Sequence, residues 1–194
     1  GPDVQARYDA QGHYIANGSV RLTVPLGEGT FGAISAGTAG GTSAAYTVNL
    51  ASIASVAFSG TPADATQASA NAGQAVTLVG TGLSTATDVL LRWTDVNGTA
   101  QMTQVSPIAA AADGTSATLV IPLFANGAFG LQVLGSTGQP LLQIVPTLTG
   151  YDQQDRLVLS GSGFVEGGSS YTFAGATVAD TPADANHLDV WYAS

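Results

Sequence analysis

A chain of 194 residues with 45% hydrophobic content is long enough to bury a core, and its charged fraction of only 9% leaves a surface built largely from Thr, Ser, Asn, Gln, Gly and Ala. Thirteen acids against four scattered arginines give a net charge of -9, which excludes the basic patches that nucleic acids and anionic membranes require. The absence of Cys and Lys rules out disulfides, thiolate metal sites, a Cys nucleophile, a Schiff base and a Lys-Asn cross-link, and no apolar run approaches the ~18 residues of a membrane span.

In chain order the elements read as short strands. "RYDAQG" (7–12) holds a turn, and "VRLTVPL" (20–26) alternates Val20, Leu22, Val24 and Leu26 against Arg21, Thr23 and Pro25. "FGAIS" (31–35) and "AAYTVNL" (44–50) follow, then "AVTLVG" (75–80), "VLLRWTD" (89–95) and "TAQMTQV" (99–105). The Ala run of "SPIAAAADGTS" (106–116) is the one helix-like window, a single turn of helix ended by Gly114. "SATLVIPL" (116–123), "FGLQVLG" (129–135), "PLLQIVP" (140–146), "RLVLSG" (156–161) and "HLDVWYA" (187–193) complete the series. Turn signals such as "DVNGT", "FANGA" and "GSTGQP" separate them, and such spacing predicts an all-β sandwich or barrel.

The chain repeats itself. "RLTVPLGEGTFGAIS" (21–35) resembles "TLVIPLFANGAFGLQ" (118–132): Pro25 and Pro122 lie 97 positions apart, and Phe31 and Phe129 lie 98 apart. "RYDAQG" resembles "RWTDVNG" (92–98), and "VTLVGTGL" (76–83) resembles "LVLSGSGF" (157–164). The expected organisation is about two units' worth of chain cut out of phase. Residues 1–57 would hold the later strands of one unit, 58–149 a complete unit of about seven strands, and 150–194 the early strands of another. A half sandwich exposes an apolar face and unpaired edges, so the two flanks are expected to find a complement, as a composite domain within one chain or between copies.

"GQAVTLVGTGL" (73–83) and "VPTLTGYDQQDRLVLSGSGF" (145–164), with "FGAISAG" and "FGLQVLG", resemble the immunoglobulin-like repeats shared by plexins and transcription factors, the IPT or TIG domains. The resemblance implies immunoglobulin-like β-sandwich repeats in tandem, as in bacterial secreted and surface proteins, and it brings no catalytic residues. The opening stretch "ASVAFSGTPADATQASANAGQ" (54–74) departs from the family pattern, which leaves that boundary open.

Chemical motifs are sparse. "GTGLST" and "GSGFVEG" resemble phosphate-cradling loops, but strands rather than helices follow them, so they read as turns or bulges. His13 and His187 have no partner at a metal-ligand spacing, and no Gly-x-Ser-x-Gly elbow occurs. The acids Asp152, Asp155, Glu166, Asp180, Asp184 and Asp189 crowd the last flank. They read first as a solvated face, and second as the place for a calcium ion, together with "TPADAT" (61–66) and its near copy "TPADAN" (181–186). Asn17-Gly18-Ser19 and Asn97-Gly98-Thr99 match a glycan-acceptor pattern and also the strongest hairpin-turn pair, and the turn is preferred. Trp93 is expected in the core, while Trp191, Tyr192 and Tyr171 are candidates for stacking on a ligand.

These residues point to a non-catalytic structural or adhesive repeat module of a large extracellular bacterial surface protein, which self-assembles if strands of one copy complete another. No cofactor is expected apart from calcium. Expected partners are neighbouring repeats, copies of the chain, or a surface glycan, with no nucleic acid and no membrane insertion. The alternative is a carbohydrate-binding accessory module of a secreted protein, and an enzyme comes last because nothing marks a catalytic pair.

Overall fold

The computed structural model describes residues 33–153 and 157–180, with the strand segments 7–8, 14–15 and 192–193. It divides into a unit spanning 1–30 and a second spanning 31–194. In the first, β1 (Arg7–Tyr8) pairs antiparallel with β2 (Tyr14–Ile15).

The second unit opens with a hairpin of β3 (Gly37–Thr38) and β4 (Gly41–Thr42), closed by backbone bonds in both directions between Ile34 and Tyr46. Then come β5 (Asn49–Ala54), β6 (Ala68–Ala70), β7 (Ala75–Thr81), β8 (Val89–Thr94), β9 (Ala100–Val105), β10 (Ala109–Ala110) and β11 (Ser116–Val120). β12 (Ala128–Gly130), β13 (Gln132–Val133) and β14 (Leu141–Ile144) follow. After the two residues Val145 and Pro146 the chain enters β15 (Thr147–Gln153), β16 (Leu157–Ser162), the hairpin of β17 (Ser170–Phe173) and β18 (Ala176–Ala179), and β19 (Tyr192–Ala193). Among the described residues all regular structure is strand, so the chain is all-β, and no helix is long and apolar enough to cross a membrane.

Residues 49–146 form two layers around one core. One layer has the order β10-β11-β7-β5. In the other, β9-β8-β13 and β12-β14-β6 meet where β12 and β13 are separated only by Leu131. Alternation explains which side chains turn inward: Val76 and Leu78 on β7 and Ala117 and Leu119 on β11 are buried, and they pack with Val89 and Leu91 of β8 and with Leu131, Val133 and Leu142. β5, which belongs to the 1–57 segment of the sequence, pairs antiparallel with β7 in this layer. The Ala run expected to make a turn of helix instead supplies β10 and a tight turn. Asp113 accepts the Thr115 N–H and hydroxyl, and Gly114 takes φ +70°, so hairpin chemistry overrides Ala helix propensity.

One irregularity occurs twice. The β5–β7 register shifts between Leu50 and Ser52, opposite Gly80 and Val79, and the β15–β16 register shifts between Leu148 and Gly150, opposite Gly161 and Ser160. A bulge breaks the period of two, so Leu50 and Ile53, three apart, both face the core. Glycine is required opposite each bulge: a Cβ on Gly80 would overlap the Asn49 carbonyl oxygen, and one on Gly161 the Thr147 carbonyl oxygen.

Candidate functional site

Among the described residues two clefts lie where the 49–146 layers meet β15 and β16. A larger cleft of about 430 Å³ is bounded by Ile144, Pro146, Leu148, Leu159, Phe164 and Tyr171. A smaller one of about 180 Å³ is bounded by Trp93, Asp95, Phe124, Asn126, Phe164 and Glu166. Gly163 and Phe164 line both, so the Phe164 ring stands as the wall between them.

Local chain geometry places these groups. Gly163, at φ +80°, turns the chain off the end of β16 against Pro146, and a Cβ there would come within 3.0 Å of the Pro146 Cα. Phe164 then points back toward the junction, with Tyr171 of β17 edge-on at a centroid distance of 5.9 Å. On the other side the half-buried Trp93 donates its indole N–H to the Thr103 hydroxyl at 3.0 Å and lies 4.7 Å from the Phe124 ring, tilted by 45°. Trp93 therefore packs against the core from the cleft side rather than being fully enclosed by it, because it follows the last fully buried residue of β8 by two positions.

Two of the smaller cleft's polar side chains, Asn126 and Asp95, are engaged by the fold. The buried Asn126 side chain accepts the Thr94 N–H at 2.8 Å and donates to the carbonyl oxygens of Thr94 at 2.8 Å and Phe164 at 2.9 Å. Asp95 accepts the N–H groups of Asn97 and Thr99 and the Gln101 side-chain amide. These bonds, that of Thr99 foremost, hold the Asp95 carboxyl below its ordinary value. They also fix the β8–β9 turn, in which Gly98 takes φ +71°, so Asn97-Gly98-Thr99 sits at a hairpin turn. Asp64 of "TPADAT" is used likewise: its carboxylate accepts the Thr66 hydroxyl and N–H, which lower its pKa, and the Gln143 amide brackets its backbone.

The candidate acids and aromatics scatter. Asp152 is exposed on β15, while Glu166 is 8% exposed and lines the smaller cleft, so for that residue burial replaces the expected solvated face. Asp180 follows β18, accepts the Gly167 N–H and donates its own N–H to the Ser169 carbonyl. Tyr171 lines the larger cleft, and Tyr192 is the register partner of Val158. Asp155, Asp184, Asp189 and Trp191 lie outside the described residues, as does "TPADAN". Among the described residues no three His, Asp or Glu side chains gather as a metal site would require. Sequence reasoning missed Phe164, Phe124 and Asn126. The signal for the first was present in "GSGF", which sets a larger ring where "GTGL" has Leu83.

No protein-family model, no curated protein and no solved structure matches this chain.

Proposed function

We propose that this chain is a run of tandem immunoglobulin-like units of the IPT/TIG kind, acting as a non-catalytic structural or adhesive module of a large extracellular bacterial surface protein. The observation that carries this reading is the doubled bulge. Thr147 opens β15 98 positions after Asn49 opens β5, and each of the two strands meets its partner through the same shift opposite a glycine. Units would then begin at Asn49 and Thr147, joined end to end with only Val145 and Pro146 between β14 and β15. Strand order supports it. β10-β11-β7-β5 against β8-β13/β12-β14 has the DEBA and CFG orders of an immunoglobulin-like sandwich, and the parallel β14–β6 pair shows the chain crossing between layers after β5.

A short junction stapled by Asn126 suits a spacer, because it makes successive units move together. Residues 49–146 produced alone test this: a tandem unit unfolds cooperatively in urea as one domain, and a chain that stays unfolded refutes the tandem organisation.

A second reading, a carbohydrate-binding accessory module, draws on the Trp93 and Phe124 rings beside the smaller cleft. Against it, Asn126 and Asp95, which would have to orient a sugar, already bond the protein's own backbone. Saturable glycan binding abolished by Trp93→Ala would favour it.

A further inference from the structure

The smaller cleft combines aromatic rings with carboxylates. Trp93, Phe124 and Phe164 line it together with Asp95 and Glu166, and no Arg, Lys or His is among the described residues that do. Asn126 spends its side chain on backbone groups, and the donors on Asp95 are neutral: the N–H groups of Asn97 and Thr99 and the Gln101 amide. Such bonds orient a carboxylate and stabilise its charge rather than cancel it. They also lower its pKa, so Asp95 is ionised at neutral pH. The cleft therefore presents π faces beside negative charge, with these directional acceptors already used.

The fold holds the rings in place. Ala125 donates its N–H to the Pro122 carbonyl at 3.0 Å, a turn that sets Leu123 and Phe124 at its two central positions and leaves them 75% and 43% exposed. Phe124 rests against Trp93, whose indole N–H is tied to Thr103. Phe164 follows the Gly163 turn and meets Tyr171 edge-on. Glu166 reaches the cleft from beyond β16. Its Cγ lies 3.7 Å from where a Cβ on Gly98 would stand, so it packs on the β8–β9 turn that Asp95 fixes. Rings and carboxylates are thus assembled before a ligand arrives, which reduces the ordering cost of binding.

We infer that this cleft binds the head group of a quaternary ammonium compound, with the Trp93, Phe124 and Phe164 rings against its methyl groups and Asp95 and Glu166 supplying the counter-charge. A quaternary nitrogen has no N–H and asks nothing of acceptors the fold has used, whereas a Lys ammonium or an Arg guanidinium brings several donors. A sugar needs directional hydrogen bonds, and a calcium ion needs six to eight oxygens; rings supply neither. They do supply cation–π attraction, which strengthens as water is excluded. At about 180 Å³ the cleft is also smaller than the ~300–1,000 Å³ of pockets for drug-sized ligands, so it suits a head group rather than an extended molecule. Neither its lining nor its charge depends on tandem organisation, so failure of one leaves the other intact.

Choline and its neutral isostere, in which carbon replaces the nitrogen, share a shape and differ in charge. Each is titrated into the full-length, isotope-labelled chain and followed by nuclear magnetic resonance, the Trp93 indole signal being identified by its loss in Trp93→Phe. The expected result is saturable shifts at the Trp93 indole and the Gly163 amide, with choline bound on the order of tenfold more tightly than the isostere. Asp95→Asn should lower the affinity for choline toward that for the isostere and leave the latter unchanged. Phe124→Leu keeps apolar bulk at a partly exposed position and removes a ring, so it should weaken choline more than the isostere, with its urea midpoint as the check on folding. Equal affinities for the two ligands overturn the proposal, because they leave only an apolar hollow. Shifts that do not saturate, shifts away from the cleft, or an Asp95→Asn chain that weakens both ligands alike overturn it too. Sedimentation with phosphatidylcholine vesicles, competed by choline, assigns the ligand to a lipid head group; choline binding without vesicle binding assigns it to a free compound.

Discussion

Asn126→Ala removes a side chain that bonds across the junction. Three backbone groups lose a partner: the Thr94 N–H, the Thr94 carbonyl and the Phe164 carbonyl. A buried group left unsatisfied costs about 1–3 kcal/mol, but these border a cleft that admits water, so the low end applies and the total is about 2–4 kcal/mol. For a chain of this size that lowers Tm by roughly 5–15 °C. Urea and thermal unfolding followed by circular dichroism read the loss, and the transition should broaden or split as β15–β18 uncouple from the preceding layers. Asn126→Asp sharpens the test. It keeps an acceptor for Thr94 but sets a carboxylate against two carbonyl oxygens, so it should be worse than Ala at neutral pH. Those carbonyls and burial raise its folded pKa, so its stability recovers as pH falls through that raised value. An Ala variant within about 1 kcal/mol of the parent, or an Asp variant no worse than Ala and flat in pH, would refute the bridge.

Gly80→Ala and Gly161→Ala should both destabilise by at least about 2 kcal/mol, because each new Cβ overlaps a carbonyl oxygen of the facing strand; urea midpoints that do not move would show that the bulges are not glycine-dependent. Leu78→Ala, at a fully buried site, should cost about 3–5 kcal/mol, and Leu159→Ala, at a half-buried one, less than about 1.5; equal losses would mean that Leu159 is as well enclosed as Leu78. Asp64, Asp95 and Asp113 all have folded pKa values below the ordinary 3.8, so the stability they contribute is complete above that value and is lost as pH falls through the lower folded ones. Asp95→Asn should flatten the fall of Tm between about pH 5 and pH 2, and an unchanged slope would remove Asp95 from the acid transition.

Strands were legible in the sequence wherever one face is buried and the other wet. "VTLVG" and "SATLV" alternate, and β7 and β11 follow that pattern. β5 was harder, since "NLASIA" carries its apolar residues three apart and only a bulge reconciles them with one core. The Ala run of 109–112 misled because Ala propensity is a weak prior, while Asp113 and Gly114 satisfy a hairpin directly. Of the clefts, Tyr171 was visible as a ring able to stack on a ligand, though the strand that carries it was not. Asn126 was not, because its role depends on meeting Thr94 and Phe164, which lie 32 and 38 positions away in sequence.

Three acids outside the last flank have a structural use. Asp64, Asp95 and Asp113 each sit at a turn and spend their oxygens on N–H and hydroxyl groups two to six positions on. In a chain without Lys such donors are the nearest compensation for a carboxylate, and they come from the Thr, Asn and Gln that make up its surface. The same economy explains the glycines. Where two strands must approach across a bulge, a hydroxyl-rich, Cys-free chain has packing and backbone bonds rather than cross-links to hold them, so the register depends on a position that tolerates no Cβ. The demand is the same at Gly80 and Gly161 although Leu50 beside the first is buried and Leu148 beside the second is exposed, since backbone fit is needed wherever such a pair forms and cover depends on what lies against it.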